Sequence, residues 1–436
     1  MRVVLVSTYE LGHQPVHLAV PAGELRRRGH DVVCVDLAVD DWSPSVLDGA
    51  DRLGVSVPMH TATRLANDLL RTVPSTLPTC AYGLYAGVGS LAQRRIAGEY
   101  LDELVAWVEE GGDGTTVSLR RNAIGLPARD LLPGLDRYAR VALAPDDMRL
   151  VGALEASRGC AAQCRHCPVP TVYGGRTRNP SVDEVVADVA QLVALGARHL
   201  TFADPDFLSG PHHARRVVDA VHATFPSLTF DITTKVELIL RHAEVWPTFA
   251  DAGLLFVTSA VECVDDRVLQ LLDKGHTAAD ASAAVRLLRS HGIELRPSLL
   301  PFTPWTTRRS LLDLIEFVVA HDLAGNVDPV HWSIRLLLPD GSLLLQVPEM
   351  QEHLTGYDPA MLGHQWRSAD PAMDALHASV AAVVEAGGDL ADVCRIVGAP
   401  APPSTLTPAD ERPHLTESWF CCAEPTTAQR SVLSAS

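Results

Sequence analysis

Residues 2–7 (RVVLVS) form an apolar, β-branched run. Such a run suits a parallel strand buried on both faces. A helical stretch over 16–28 stops at Gly29, and 31–36 (DVVCVD) reads as a second strand. Strands are also expected at 52–57 and 79–84, with helices near 60–72 and 93–110. Short strands alternating with helices predict a doubly wound α/β domain over about 1–125. The stretch 121–147 carries Pro, Gly and Asp without clear periodicity and reads as a linker or lid, with 126–147 as the segment between domains.

A second alternation runs over about 148–345. Its expected strands are 150–156, 199–203, 228–233, 254–259, 293–299 and 330–335. The clearest helix is 182–195: Ser181 and Glu184 have capping-box spacing, and Val185, Val189 and Leu192 share one face. Six strand–helix units are fewer than a closed barrel needs, so an open, partial (β/α)6 barrel is predicted, with its site at the carboxyl ends of the strands. Residues 346–436 read as a small helical region, a Pro-rich stretch (APAPPSTLTP, 399–408) and a polar tail bearing Cys421 and Cys422. That tail has no core of its own and would have to dock elsewhere to act.

Charge narrows the partners. Asp and Glu outnumber Lys and Arg by 53 to 36, for a formal net charge of −17, which argues against broad binding to nucleic acid or an anionic membrane. No apolar run approaches the ~20 residues that span a bilayer. The first residues lack a secretory signal, so a cytoplasmic protein is expected. Nine cysteines in that setting point to metal ligation or redox chemistry.

The strongest chemical signal is ASRGCAAQCRHCP at 156–168. Cys160, Cys164 and Cys167 stand at C-x3-C-x2-C spacing in the loop after the first barrel strand. Three soft thiolates this close can each hold one iron of a [4Fe–4S] cluster and leave the fourth iron open. The alternative is zinc, which usually takes four protein ligands, and His166 could complete such a set only with strain. With its barrel context, this loop resembles the radical S-adenosylmethionine (SAM) superfamily. The resemblance implies that SAM chelates the open iron and is cleaved reductively at a carbon–sulfur bond, with electrons from an external donor such as a flavodoxin or ferredoxin.

Further positions follow from that resemblance. TFADPDF (201–207) is similar to an acidic element of radical SAM proteins that carry an amino-terminal cobalamin-type domain, and implies that Asp204 or Asp206 receives the SAM ammonium. SAVECVDD (259–266) resembles a segment in which Glu262 would bond the ribose or methionine moiety. His166, Arg296 and Arg335 are further cofactor-binding candidates; for the arginines, ion pairing with the chain's many acids is an equal reading. Lys274, one of only two lysines, reads as a solvated helix-end cation.

The amino-terminal domain resembles the flavodoxin-like, cobalamin-binding module found before many radical SAM barrels. The D-x-H-x-x-G motif that supplies cobalt with a histidine is missing, and His13 and His17 have the wrong spacing. The ending Cys421-Cys422-Ala423-Glu424-Pro425 resembles the CUAEP/CCAEP-tail radical SAM proteins. It implies reactive thiols at Cys421 and Cys422, with Glu424 as a local base. The expected function is transfer of a SAM-derived carbon group to a small-molecule substrate held by the tail thiols, trivalent arsenic being one such substrate and 3-amino-3-carboxypropyl one such group. A cobalamin-dependent radical methyltransferase and a non-catalytic thiol–metal binding protein are the alternatives.

Overall fold

The computed structural model describes residues 1–120, 125–144 and 146–417. Cys421, Cys422 and Glu424 lie outside the described residues. The amino-terminal sheet has six strands: β1 (Arg2–Ser7), β2 (Asp31–Asp36), β3 (Arg52–Ser56), β4 (Thr79–Tyr82), β5 (Arg94–Gly98) and β6 (Gly114–Ser118). All pair in parallel in the order β2-β1-β3-β4-β5-β6. The first five have the flavodoxin-like order, with a switch point between β1 and β3. Val3, Leu5 and Tyr82 pack on one face, and Val4, Val6 and Val55 on the other. Burial on both faces is why these strands read as continuous apolar runs.

Two expectations are corrected in this half. The helix expected over 93–110 is strand β5 followed by a helix at Leu101–Glu110. Gly98, at φ 81°, makes the break. Strand β6 was not expected because it is a short edge strand of alternating exposure.

The second sheet contains β7 (Arg140–Ala144), β8 (Asp147–Leu154), β9 (His199–Phe202), β10 (Thr229–Thr233), β11 (Leu254–Glu262), β12 (Glu294–Leu299) and β13 (His414–Leu415). Strands β8 to β12 are parallel neighbours in chain order. The helix Val182–Ala194 carries the expected Ser181–Glu184 capping box and buries Val185, Val189 and Leu192. Strand β7 pairs antiparallel to β8, so part of the expected linker belongs to this sheet.

The sixth barrel strand is also corrected. Residues Pro329–Ser333 form a 3-10 turn, and only a bridge between Phe302 and Arg335 continues the sheet. Pro329 removes a backbone donor at the point where a strand would begin. Among the described residues the barrel therefore has five parallel strands.

The carboxy-terminal region is not only helical: 354–358 and 363–366 form a hairpin beside helices Pro371–Glu385 and Leu390–Val397. Its last described residues return to the barrel. Strand β13 pairs antiparallel to β7, and Thr416 N donates to Arg140 O at 2.8 Å. Arg412 bonds Glu294 at the start of β12 and Asp322. Arg296 Nη1 donates to Pro413 O at 3.4 Å. Segment 412–417 thus stitches the two edges of the curved sheet together.

Candidate active site

Strand register sets the lumen. Ala153, Thr201, Asp231 and Phe256 are aligned across β8 to β11 and face one cavity. Two residues further along, Thr233, Thr258 and Arg296 are aligned and face it too. Closed barrels fill such layers with bulky branched side chains. Here Ala and Thr leave a cavity of about 290 Å³.

The other wall comes from the amino-terminal sheet. Glu10, Leu11, His13 and His17 follow β1, Met59 follows β3, and Tyr85 follows β4, and all line the same cavity. Both sheets therefore aim their strand carboxyl ends at one space. That is where open α/β sheets bind ligands, at the switch point of the strand order.

Cys160, Cys164 and Cys167 line the cavity at its barrel rim. Ala162 N and Ser209 Oγ donate to Cys160 Sγ, at 3.4 and 3.6 Å. Burial pushes the Cys160 thiol above its ordinary pKa. Among the described residues, no three His, Cys, Asp or Glu side chains are grouped to hold a single metal ion. Three thiolates on one loop are the donor set of a cubane, which takes one thiolate per iron.

Asp204 accepts from Ala156 N at 2.8 Å and Ser157 Oγ at 2.5 Å, so it braces the approach to the cysteine loop while lining the cavity. Burial outweighs these bonds and pushes its carboxyl up to about 7. Asp206 sits behind it and does not line the cavity. It accepts from Leu208 N and Thr234 Oγ1, and burial pushes it up to about 6.

Glu262 is placed by strain: at the end of β11, beside a register shift, it holds φ 64°. Its Oε1 accepts from Lys274 Nζ at 2.9 Å and meets His166 Nε2 at 3.1 Å. Burial opposes ionisation, but Lys274 and His166 hold the carboxyl well below its usual range. Lys274 is only 3% exposed, so the reading of a solvated cation is corrected. Its ammonium lies within electrostatic reach of Cys164 and Cys167.

A second buried network was missed in the sequence. Glu155 bonds Arg158 Nε at 2.6 Å and His17 Nε2 at 3.2 Å, and His17 Nδ1 meets Glu10 at 2.9 Å. Burial would lower the His17 pKa, but the two carboxylates lift it to about 10. Arg158 and His17 likewise outweigh burial to hold Glu155 at about 2. Glu155 and Arg158 shortly precede the first cysteine of the motif in sequence, which was the available signal. The network ties the first loop of the amino-terminal sheet to the cysteine loop.

Arg296 reaches the cavity and pairs with Asp328 at 2.9 Å. Arg335 does not line it: the guanidinium bonds Asp374 and Trp366 O and lies 3.7 Å from the Trp366 ring. The ion-pair reading is the one its geometry supports. Among the described residues, no helix is long and apolar enough to cross a membrane.

Residues 154–318 match the model of the Radical SAM superfamily. The chain is 25% identical over 329 residues to the hopanoid C-3 methylase of Methylococcus capsulatus, covering 68% of this chain and 62% of the methylase. It is 31% identical over 156 residues to the tRNA-2-methylthio-N(6)-dimethylallyladenosine synthase of Pseudoalteromonas atlantica, covering 32% and 30% of the two. Its fold resembles that of the cobalamin-dependent SAM radical enzyme OxsB with aqua-cobalamin bound, at TM-score 0.69 and 16% identity, covering 89% of this chain and 67% of OxsB. It also resembles the radical SAM methyltransferase TsrM from Kitasatospora setae with tryptophan and a SAM analogue bound, at TM-score 0.65 and 18% identity, covering 94% and 93%.

Proposed function

Since this chain belongs to the radical SAM superfamily, an enzyme whose barrel stands behind a cobalamin-binding-like amino-terminal region, we propose that it transfers a SAM-derived carbon group to a small molecule held in the lumen and gripped by the tail thiols. The single observation carrying this reading is the convergence of the cysteine loop, the β1 loop and the end of the described chain on one cavity.

The donor set fits the cofactors. Cys160, Cys164 and Cys167 would hold three irons of a [4Fe–4S] cluster. Beside them, Glu262, Lys274 and His166 offer SAM a polar wall whose charges are already paired, and Asp204 keeps the cysteine loop in place with Asp206 behind it. Bound there, cluster and SAM supply reductive carbon–sulfur cleavage once an external one-electron donor of the flavodoxin or ferredoxin kind delivers its electron. Arg296 lines the lumen and is held by Asp328.

The tail follows closely. Leu415 and Glu417 line the cavity, and Cys421 comes four residues later. Two vicinal thiols suit a thiophilic centre such as trivalent arsenic, with Glu424 as a local base. The transferred group would then be 3-amino-3-carboxypropyl.

A second reading is cobalamin-dependent methyl transfer. The apolar wall of Leu11, Met59, Leu84 and Tyr85 at the switch point favours it, as does the fold likeness to cobalamin-bound OxsB. The whole protein of the methylase relative is longer than this chain.

One experiment separates the two. The anaerobically reconstituted protein is given SAM, reductant and arsenite, with and without a corrinoid. Methylthioadenosine with a new carbon–arsenic product that disappears in Cys421→Ser/Cys422→Ser supports the first reading. Corrinoid uptake in the visible spectrum, with methyl transfer that survives the tail substitutions, supports the second.

A further inference from the structure

The carboxylates of the cavity divide by partner. Glu155 and Glu262 have Arg158 and Lys274, and Asp328 has Arg296. Glu10 has His17, which its carboxylates keep charged, and Asp204 is bonded by a backbone amide and a hydroxyl at the cysteine loop. Two remain. Asp231 Oδ1 meets His199 Nε2 at 2.9 Å and Thr201 Oγ1 at 2.7 Å, and neither is a permanent cation. Glu417 meets only the Tyr9 hydroxyl, at 3.2 Å.

Both line the one cavity, as does the loop after β1. A Cβ on Gly12 would stand 2.5 Å from the Glu417 side chain. The next residue, His13, is 7% exposed, lines the cavity and lies within electrostatic reach of Asp231. Its Nδ1 is buried with no hydrogen-bond partner among the described residues. Burial keeps this imidazole neutral against the pull of Asp231 and Glu10. Arg296 is near, but its guanidinium is committed to Asp328 and Pro413 O.

A buried carboxylate without a cation is costly, and so is an unpaired buried imidazole nitrogen. We propose that His13, Asp231 and Glu417 form a subsite for an organic ammonium, carried either by the acceptor molecule or by the transferred aminocarboxypropyl group. Asp231 and Glu417 neutralise it, and His13 adds a neutral hydrogen bond. The proposal rests on reading the lumen as the substrate chamber.

The test uses the full reconstituted chain and four probes of matched size: n-butylammonium, L-2-aminobutyrate, butyrate and 1-butanol. Binding is followed by calorimetry, and the cluster's visible spectrum checks folding. Both amines bind, and the acid and the alcohol do not. A preference for butylammonium assigns the site to the acceptor; a preference for aminobutyrate assigns it to the transferred group. Asp231→Asn lowers amine affinity by about tenfold or more, the scale of a hydrogen bond to a charge. Glu417→Gln, at the end of the described chain, lowers it less and stands in should Asp231→Asn not fold. Equal binding of all four probes overturns the proposal, as do undiminished amine affinities in the variants that fold. Because binding is read without turnover, failure here leaves the carbon-transfer reading standing, and failure of carbon transfer leaves this result interpretable.

Discussion

Two groups of residues lining the cavity handle charge differently. Around the cysteine loop, each carboxylate meets a cation or backbone and hydroxyl donors: Glu262 with Lys274, Glu155 with Arg158, Asp204 with Ala156 and Ser157. Among the described residues no Lys or Arg is hydrogen-bonded to Asp231 or Glu417: Asp231 meets His199 and Thr201, Glu417 meets the Tyr9 hydroxyl, and His13, like His166 beside the cysteine loop, has a bare Nδ1. Buried charges that are already paired change little when a ligand arrives, which suits a preorganised cofactor seat. Unpaired ones gain when a ligand completes them, which suits the part of the cavity where substrate changes with each turnover.

The sharpest way to break the cysteine-loop group is to remove a thiol. Cys160→Ala, Cys164→Ala and Cys167→Ala are each expected to abolish SAM cleavage and to lose cluster iron, measured by product mass and iron content. Next is Lys274→Met, which strands a buried carboxylate. It should cost about 3–5 kcal/mol in denaturant unfolding, with most of the loss recovered in Lys274→Met/Glu262→Gln.

Gly12→Ala tests how the Asp231 group is built. The position has φ 69°, and the new Cβ would press on Glu417. A loss of about 1–2 kcal/mol is expected, with faster hydrogen exchange over 412–417.

The smallest effect concerns pH. His17 is lifted to about 10 in the fold, against an ordinary value of about 6.5. Its contribution is therefore complete below pH 6.5 and lost as pH rises towards 10. His17→Gln should flatten the fall in unfolding free energy between pH 7 and 10, by an amount of order 1 kcal/mol after solvent relaxation, measured by denaturant titration at each pH.

Much of this was legible in the chain. Apolar runs marked β1 and β2 to the residue, because local composition determines them, and the C-x3-C-x2-C spacing singled out Cys160, Cys164 and Cys167, which line the cavity. The unpaired group was not legible. Asp231 and His199 sit inside ordinary strands, and their significance comes from register and from which neighbours are only Ala or Thr. Lys274 read as solvated because nothing local shows that β11 ends in a strained glutamate beside it. Residues 330–335 looked like a strand by composition, but Pro329 turns them into a 3-10 segment. The docking of 412–417 depends on pairing with β7, more than 270 residues away, which no local pattern reveals.

The most direct test of the whole account is mass analysis of SAM-derived products from the anaerobically reconstituted, reduced protein. The account predicts about four irons per chain and cleavage of SAM to 5′-deoxyadenosine or methylthioadenosine, both lost on substituting any of the three loop cysteines. A fully loaded cluster that leaves SAM intact, or cleavage that survives loss of those thiols, would contradict it.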